Sequence, residues 1–137
     1  MLRTDSRPTL LVADDDPVVC AVLAVQLEAQ FQVIATAGSA GEAVTLAELH
    51  RPDAALVDVE MPGGGALEAL RGLATSSPNT RVVVLSARKA PEDDELADAG
   101  AMAYLRKGLS GPQVAAALTA ALDPAGRPAV KQLPQNG

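Results

Sequence analysis

The feature that most constrains the fold is an alternation of short apolar runs with longer amphipathic stretches. The apolar runs lie at residues 9–13, 31–36, 53–58, 81–86 and 101–105. They are too short for helices of their own and lack the strict alternation of a half-exposed strand. Strands that are apolar throughout are buried on both faces, which is typical of a parallel sheet covered by helices. The sequence therefore predicts an α/β, doubly wound three-layer sandwich, because crossovers between parallel strands are right-handed.

The stretches between the runs carry helix signals. Asp16 is a predicted N-cap and Pro17 a first-turn residue, while Gly100 is a predicted helix stop. The second helix is predicted from apolar residues at helical spacing between Ala40 and Ala47, and it ends near His50. The predicted helices cover residues 17–30, 40–50, a segment around 67–74, 91–99 and 114–122.

Length and punctuation predict one folded domain. The chain has 137 residues, of which 48% are hydrophobic, enough to build one ordinary core. We expect a disordered N-terminal segment at residues 1–7, the folded domain at 8–123, and a flexible tail or linker at 124–137, where Pro and Gly recur without periodicity.

Composition excludes several classes of function. The net charge is -6 and no dense run of Lys and Arg occurs, so direct nucleic-acid binding by this segment is not expected. The single cysteine, Cys20, excludes an internal disulfide, and its apolar neighbours predict a small buried hydrophobe. No apolar run is long enough for a membrane span, and the first residues do not form a signal peptide. We therefore expect a cytoplasmic protein without a membrane partner.

Polar residues with distinct chemistry follow the predicted strands. The first strand runs into Asp14 and Asp15, the third ends at Asp58, the fourth at Ser86, and the fifth leads to Lys107. Ligands of open parallel sheets bind at the carboxyl ends of the strands, so these groups are expected to converge. Crowded carboxylates favour a cation, and oxygen ligands suit Mg²⁺. A cation, an ammonium and a hydroxyl beside one carboxylate predict a cradle for a phosphoryl group.

Four motifs in this order resemble the receiver domain of bacterial response regulators. They are LLVADDDP (10–17), LVDVEMPG (56–63), VVLSA (83–87) and GAMAYLRK (100–107). The likeness covers about residues 8–122. It implies the flavodoxin-like (βα)5 fold with a five-stranded parallel sheet in the order 2-1-3-4-5, an order that comes from the resemblance and not from the spacing.

The resemblance also implies a role for each residue of the predicted cradle. Asp58 matches the phosphoacceptor, which takes its phosphoryl group from a sensor histidine kinase or a phosphotransfer protein. Asp14 and Asp15 match the acid pair that holds Mg²⁺ together with Asp58 and the backbone carbonyl of Glu60. Lys107 matches the lysine that contacts the phosphoryl oxygens.

Two further residues match the family's switch. Ser86 corresponds to the hydroxyl that moves toward the phosphoryl group, and Tyr104 to the aromatic residue that moves inward with it. The resemblance therefore implies a phosphorylation-controlled change of the surface formed by the fourth helix, fifth strand and fifth helix. That surface would control an output domain or a partner. A homodimer through this face and a simple solvated face remain open alternatives for its charged residues.

The implied activity is signalling, with catalysis limited to the domain's own phosphotransfer and slow autodephosphorylation. One alternative is a Mg²⁺-dependent phosphohydrolase of the haloacid-dehalogenase type, which uses an Asp-x-Asp after its first strand; here Asp58 and Glu60 follow the third. Another alternative is a phosphate-independent docking module. The intact acids and Lys107 argue against it.

Several points stay open at the level of sequence. Gly108 stands where many receivers carry a proline after the lysine, so the Lys107–Gly108 peptide is either trans or a costly cis bond. The three glycines at 63–65 form either a mobile loop or ordinary turns. Glu60 and Arg88 either tune hydrolysis of the acyl phosphate or are exposed loop residues. The segment is either a stand-alone receiver or part of a regulator with a helix-turn-helix output domain.

Overall fold

The computed structural model describes residues 5–87 and 95–123. Within them, strands and helices alternate along the chain. The strands are β1 (Thr9–Ala13), β2 (Gln32–Ala37), β3 (Ala54–Asp58), β4 (Arg81–Ser86) and β5 (Ala101–Arg106), and the helices are α1 (Pro17–Leu27), α2 (Ala40–His50), α3 (Gly65–Ser76), α4 (Glu95–Asp98) and α5 (Gly111–Leu122).

The strands form one parallel five-stranded sheet in the order β2-β1-β3-β4-β5. This confirms the predicted fold class and strand order. β1, β3 and β4 lie inside the sheet, and nearly all of their residues are buried, because helices cover both faces. The carboxyl ends of all strands consequently meet at one edge of the sheet.

Alternate strand residues pack into two separate cores, because successive side chains point to opposite faces of the sheet. Leu10 and Val12 of β1 belong to the core covered by α1 and α5. Leu11 and Ala13 belong to the core covered by α2 and α3, which also contains Tyr104. Cys20 is buried in the first core, as predicted.

The predicted boundaries of α2 and β4 are confirmed, whereas α1 ends three residues earlier than predicted. Asp16 caps α1 as expected, its carboxylate accepting a hydrogen bond from the backbone of Val18 at 2.9 Å. Beyond Leu27 the chain tightens into a turn, and the guanidinium of Arg7 donates to the carbonyls of Glu28 and Phe31. The backbone N–H groups of Gln30 and Phe31 both donate to the carbonyl of Leu27, which closes the end of the helix.

The ends of the chain lie partly outside the described residues. Arg7, within the segment predicted to be disordered, forms an ion pair with Asp5 in addition to its contacts near α1. Residues 1–4, the predicted tail at 124–137 and the start of the predicted acidic helix at Pro91 lie outside the described residues. No helix in the described part of the chain is long and apolar enough to cross a membrane.

Two helical glycines differ in what a side chain at their positions would meet. A β-carbon at Gly72 of α3 would lie 2.5 Å from a methyl group of Val44 in α2, whereas one at Gly41 of α2 would meet no atom within 4 Å. Gly72 therefore sets the close approach of α2 and α3.

We expect Gly72→Ala and Gly41→Ala to change stability in opposite directions. Alanine restricts the unfolded chain and favours helix in both, so Gly41→Ala should stabilise the fold by roughly 0.5–1 kcal/mol. Overpacking against Val44 should make Gly72→Ala destabilising by about 1 kcal/mol. Urea denaturation measures both values, and equal changes in the two variants would contradict the proposed helix contact.

Candidate functional site

The polar residues predicted to form a site lie at one edge of the sheet. Asp14 follows β1, Asp58 is the last residue of β3, Ser86 is the last residue of β4, and Lys107 follows β5. The backbone N–H of Lys107 donates to the carbonyl of Ser86 at 2.6 Å, which extends the β4–β5 pairing past the end of β5. The parallel order of the strands therefore brings these four residues together.

Three carboxylates form the acidic part of the site. One carboxylate oxygen from each of Asp14, Asp15 and Asp58 lies within 4.8 Å of the other two. Asp14 and Asp58 are 3% and 6% exposed, whereas Asp15 is exposed to solvent. Two buried carboxylates and one exposed carboxylate thus form a cluster that is open to water on one side.

Lys107 provides the positive charge that faces this cluster. Its Nζ lies 3.1 Å from Oδ2 of Asp14 and 3.4 Å from Oδ1 of Asp58. The short contact to Asp14 is an ion pair by distance, yet Oδ2 is a buried oxygen without a well-oriented hydrogen bond among the described residues. The other oxygen of Asp14 accepts from the backbone of Asp16 at 2.9 Å. Asp14 therefore forms a side-chain turn with the backbone of Asp16, a contact beyond the predicted capping role of Asp16.

The electrostatics of the cluster disfavour charge on Asp58. Burial and the neighbouring Asp14 raise the pKa of Asp58 above its ordinary value, and they outweigh the opposing effect of Lys107. Burial alone would lower the pKa of Lys107, but the contacts with Asp14 and Asp58 more than offset it and raise that pKa. Lys107 therefore stays protonated at neutral pH, and the cluster retains unbalanced negative charge.

The other predicted site residues lie around this cluster. The exposed Glu60 lines an open cavity together with Asp15. Ser86 is 2% exposed, and Tyr104 is buried in the core under α2 and α3. Arg88, predicted either to tune hydrolysis or to be exposed, lies outside the described residues.

The structure answers one of the questions left open by the sequence. Every peptide bond among the described residues is trans, including Lys107–Gly108. The three glycines at 63–65 all have positive φ values, 86°, 102° and 66°. A β-carbon at Gly65 would lie 2.3 Å from the carbonyl oxygen of Val59, so this turn requires glycine. This loop lies against α2, where the backbone N–H of Ala40 donates to the carbonyl of Pro62.

The acidic cluster fits a divalent cation that prefers oxygen ligands. The carboxylates of Asp14, Asp15 and Asp58 supply only oxygen donors, which Mg²⁺ and Ca²⁺ prefer over softer ligands. Apart from the ion pair with Lys107, the buried Oδ2 of Asp14 has no hydrogen bond among the described residues. These two observations indicate that the site is incomplete with protein groups alone.

Comparison with known proteins agrees with this fold. Residues 10–119 match the model of the response regulator receiver domain. The chain is 36% identical over 94 residues to the probable transcriptional regulatory protein TcrX of Mycobacterium tuberculosis, covering 68% of this chain and 40% of TcrX. It is 36% identical over 102 residues to the transcriptional regulatory protein PdtaR of the same species, covering 74% of this chain and 50% of PdtaR. The chain thus spans about half or less of these relatives' length.

Solved structures give the same result. The receiver domain of the putative response regulator NarL from Mycobacterium tuberculosis superposes with a TM-score of 0.80 at 25% identity, over 87% of this chain and 99% of that one. A LuxR-family response regulator from Aurantimonas sp. gives a TM-score of 0.81 at 28% identity, over 91% and 90%. The chain belongs to the response regulator receiver domain family of two-component systems.

The raised pKa of Asp58 predicts how the metal-free protein responds to pH. Between pH 3.8, the ordinary pKa, and the raised pKa of the folded state, the folded state binds more protons than the unfolded state. Stability therefore falls as pH rises through this range. Asp58→Asn removes the unfavourable charge. In EDTA at neutral pH, we expect it to stabilise the fold by on the order of 1 kcal/mol, a value that allows for screening on the open side.

The control for this prediction is Asp98→Asn, on the exposed surface of α4. Urea denaturation between about pH 4 and pH 7 should show the Asp58→Asn advantage growing with pH, while the Asp98→Asn difference stays small. A metal-free Asp58→Asn variant less stable than wild type at pH 7 would be inconsistent with net repulsion at Asp58.

Proposed function

We propose that this receiver is a phosphorylation-controlled switch in which Asp58 accepts a phosphoryl group from a histidine kinase or a phosphotransfer protein. The observation that carries the proposal is the cluster of Asp14, Asp15 and Asp58, with Lys107 in contact with two of them. A related response regulator from Burkholderia pseudomallei, 27% identical with a TM-score of 0.74, was solved with a phosphorylated aspartic acid and a calcium ion. That structure supports the assignment of the acceptor chemistry.

In the proposed reaction, an oxygen of Asp58 attacks the phosphorus of the phosphohistidine. The new bond is the oxygen–phosphorus bond of an acyl phosphate, and the phosphorus–nitrogen bond breaks, leaving its electron pair on the imidazole. Such transfers depend on alignment and charge neutralisation more than on nucleophile strength. The end of β3 fixes Asp58, and the Lys107 ammonium, already 3.4 Å from Oδ1 of Asp58, neutralises charge on the phosphoryl oxygens.

The metal in this proposal is Mg²⁺. Asp14, Asp15 and Asp58, with the backbone carbonyl of Glu60, would hold it beside the acceptor. When bound, it supplies positive charge to the phosphoryl oxygens and relieves the repulsion among the carboxylates. Asp14 and Asp15 thus serve to bind it, and Lys107 moves its contacts to the phosphoryl group.

The proposed response to phosphorylation passes through Ser86 and Tyr104. An acyl phosphate adds about two negative charges and new hydrogen-bond acceptors next to β4. The Ser86 hydroxyl, at the end of that strand, moves toward them, and the buried Tyr104 adjusts on the neighbouring strand. The α4–β5–α5 surface changes as a result, and an output domain or a second copy of the chain reads it. We place this activity in the cytoplasm.

We propose that the protein is not an enzyme toward other substrates. It catalyses only its own phosphotransfer and slow autodephosphorylation. The phosphohydrolase alternative requires turnover of a small phosphoester, because its aspartyl phosphate forms from substrate and is hydrolysed in each cycle. Steady release of inorganic phosphate from para-nitrophenyl phosphate with Mg²⁺ would favour that alternative, and we expect no release above that of the Asp58→Asn variant.

The direct test is phosphorylation by acetyl phosphate in the presence of Mg²⁺. We expect intact-mass spectrometry to show one added phosphoryl group on the wild-type chain, because the proposal assigns the acceptor role to Asp58 alone. Asp58→Asn should abolish the adduct, and Asp15→Ala should slow its formation by weakening the metal site. The proposal fails if the adduct persists at the wild-type rate in both variants.

A matched control is Asp53→Asn, which changes an exposed carboxylate at the amino end of β3, away from the cluster. Asp53 contacts Thr9 and not the acidic cluster, so its loss should affect stability slightly and leave phosphorylation unchanged.

A further inference from the structure

Lys107 is anchored to the sheet at two points. Its backbone N–H donates to the carbonyl of Ser86 at 2.6 Å, so its main chain continues the pairing of β5 with β4. Its ammonium lies within ion-pair distance of Asp14 and Asp58. The side chain is about one third exposed, so these contacts and not burial determine where the ammonium sits.

The chain is anchored again directly after Lys107. Leu109 is partly buried and packs against the core under α1 and α5. Ser110 then caps α5: its hydroxyl accepts from the backbone of Gln113 at 3.2 Å, and the Gln113 side chain accepts from the backbone of Ser110 at 2.8 Å. This reciprocal capping box fixes the start of the helix. Only Gly108 lies between the two anchors.

Gly108 connects the anchors through a conformation that other residues rarely adopt. Its φ is +100°, and the peptide bond that joins it to Lys107 is trans. A β-carbon built at Gly108 would meet no atom within 4 Å. Glycine is therefore required at this position by the backbone conformation and not by a lack of space.

We propose that Gly108 is a positioning residue for Lys107, whose left-handed conformation lets the ammonium reach Asp14 and Asp58 while Leu109 stays packed in the core. With any other residue, the joint prefers a negative φ. Because the packing of Leu109 and the capping box of Ser110 hold the following segment, Lys107 is the residue that is displaced from the acids. This inference rests on the proposed function where phosphorylation is the readout. The effect of Gly108 on the position of Lys107 is independent of that function.

Gly100 provides a closely matched control. It also has a positive φ, +115°, and a β-carbon there would also meet no atom within 4 Å. It precedes β5 whereas Gly108 lies just past its end, so the two positions are roughly 20 Å apart along the strand. Gly100→Ala therefore introduces the same kind of backbone strain far from the acids.

The first measurement is the rate of phosphorylation by acetyl phosphate with Mg²⁺, at a temperature where all variants are folded. We expect Gly108→Ala to slow the reaction on the order of tenfold, because a displaced ammonium no longer aligns with the phosphoryl oxygens. Gly100→Ala should react at the wild-type rate. Gly108→Asn should be faster than Gly108→Ala, since asparagine tolerates positive φ better.

The second measurement separates positioning from general damage. In a Lys107→Ala background, Gly108→Ala should cause no further loss of rate, because the residue through which it acts is absent. Without phosphodonor, calorimetric titration with Mg²⁺ should show tighter binding for Gly108→Ala and for Lys107→Ala than for wild type. The reason is that both remove a cation that competes for Asp14 and Asp58.

Three results would overturn the inference: equal slowing by Gly108→Ala and Gly100→Ala, an undiminished Gly108→Ala effect in the Lys107→Ala background, or Mg²⁺ binding in Gly108→Ala that is unchanged or weaker. If the wild-type chain gains no phosphoryl group, the proposed function fails. The Mg²⁺ titration then still decides whether Gly108 positions Lys107.

Discussion

The interaction on which this molecule depends is the repulsion among Asp14, Asp15 and Asp58, balanced only in part by Lys107. Oxygens of the three carboxylates lie within 4.8 Å of one another, and two of the side chains are buried. Burial and the neighbouring acid raise the pKa of Asp58 even with Lys107 beside it. Such an arrangement destabilises the free protein, and it is typical of sites that gain their missing charge from a ligand.

The fold holds these acids together because Asp14 and Asp15 follow β1 and Asp58 ends β3, and both strands have buried interiors. β1 and β3 are adjacent, parallel and packed between two cores, so Asp14 and Asp58 have little freedom to move apart. Lys107 is held in the same way by the pairing of its backbone with Ser86. Binding of a cation or a phosphoryl group would therefore change the contacts of Lys107 and Ser86 more readily than it would spread the strands.

Short-range patterns in the sequence predicted a parallel sheet covered by helices and the convergence of the site, whereas the strand order came from the resemblance to the receiver family. The apolar runs defined the strands, and parallel strands necessarily place Asp14, Asp58 and Ser86 at one edge. The end of α1 was predicted three residues too late, since the turn after Leu27 contains no glycine or proline that would mark it. The contact of Lys107 with both Asp14 and Asp58, and the positive φ of Gly108, depend on how separate elements anchor one loop, which no local pattern encodes.

The measurement that tests the central claim most directly is the anomalous diffraction of Mn²⁺, which takes the same oxygen ligands as Mg²⁺, in crystals of the wild-type chain. We expect a single strong Mn²⁺ peak within about 2.5 Å of carboxylate oxygens of Asp15 and Asp58, with Asp14 next to it. A crystal saturated with Mn²⁺ that shows no peak between these carboxylates, or shows its strongest peak elsewhere, would contradict it.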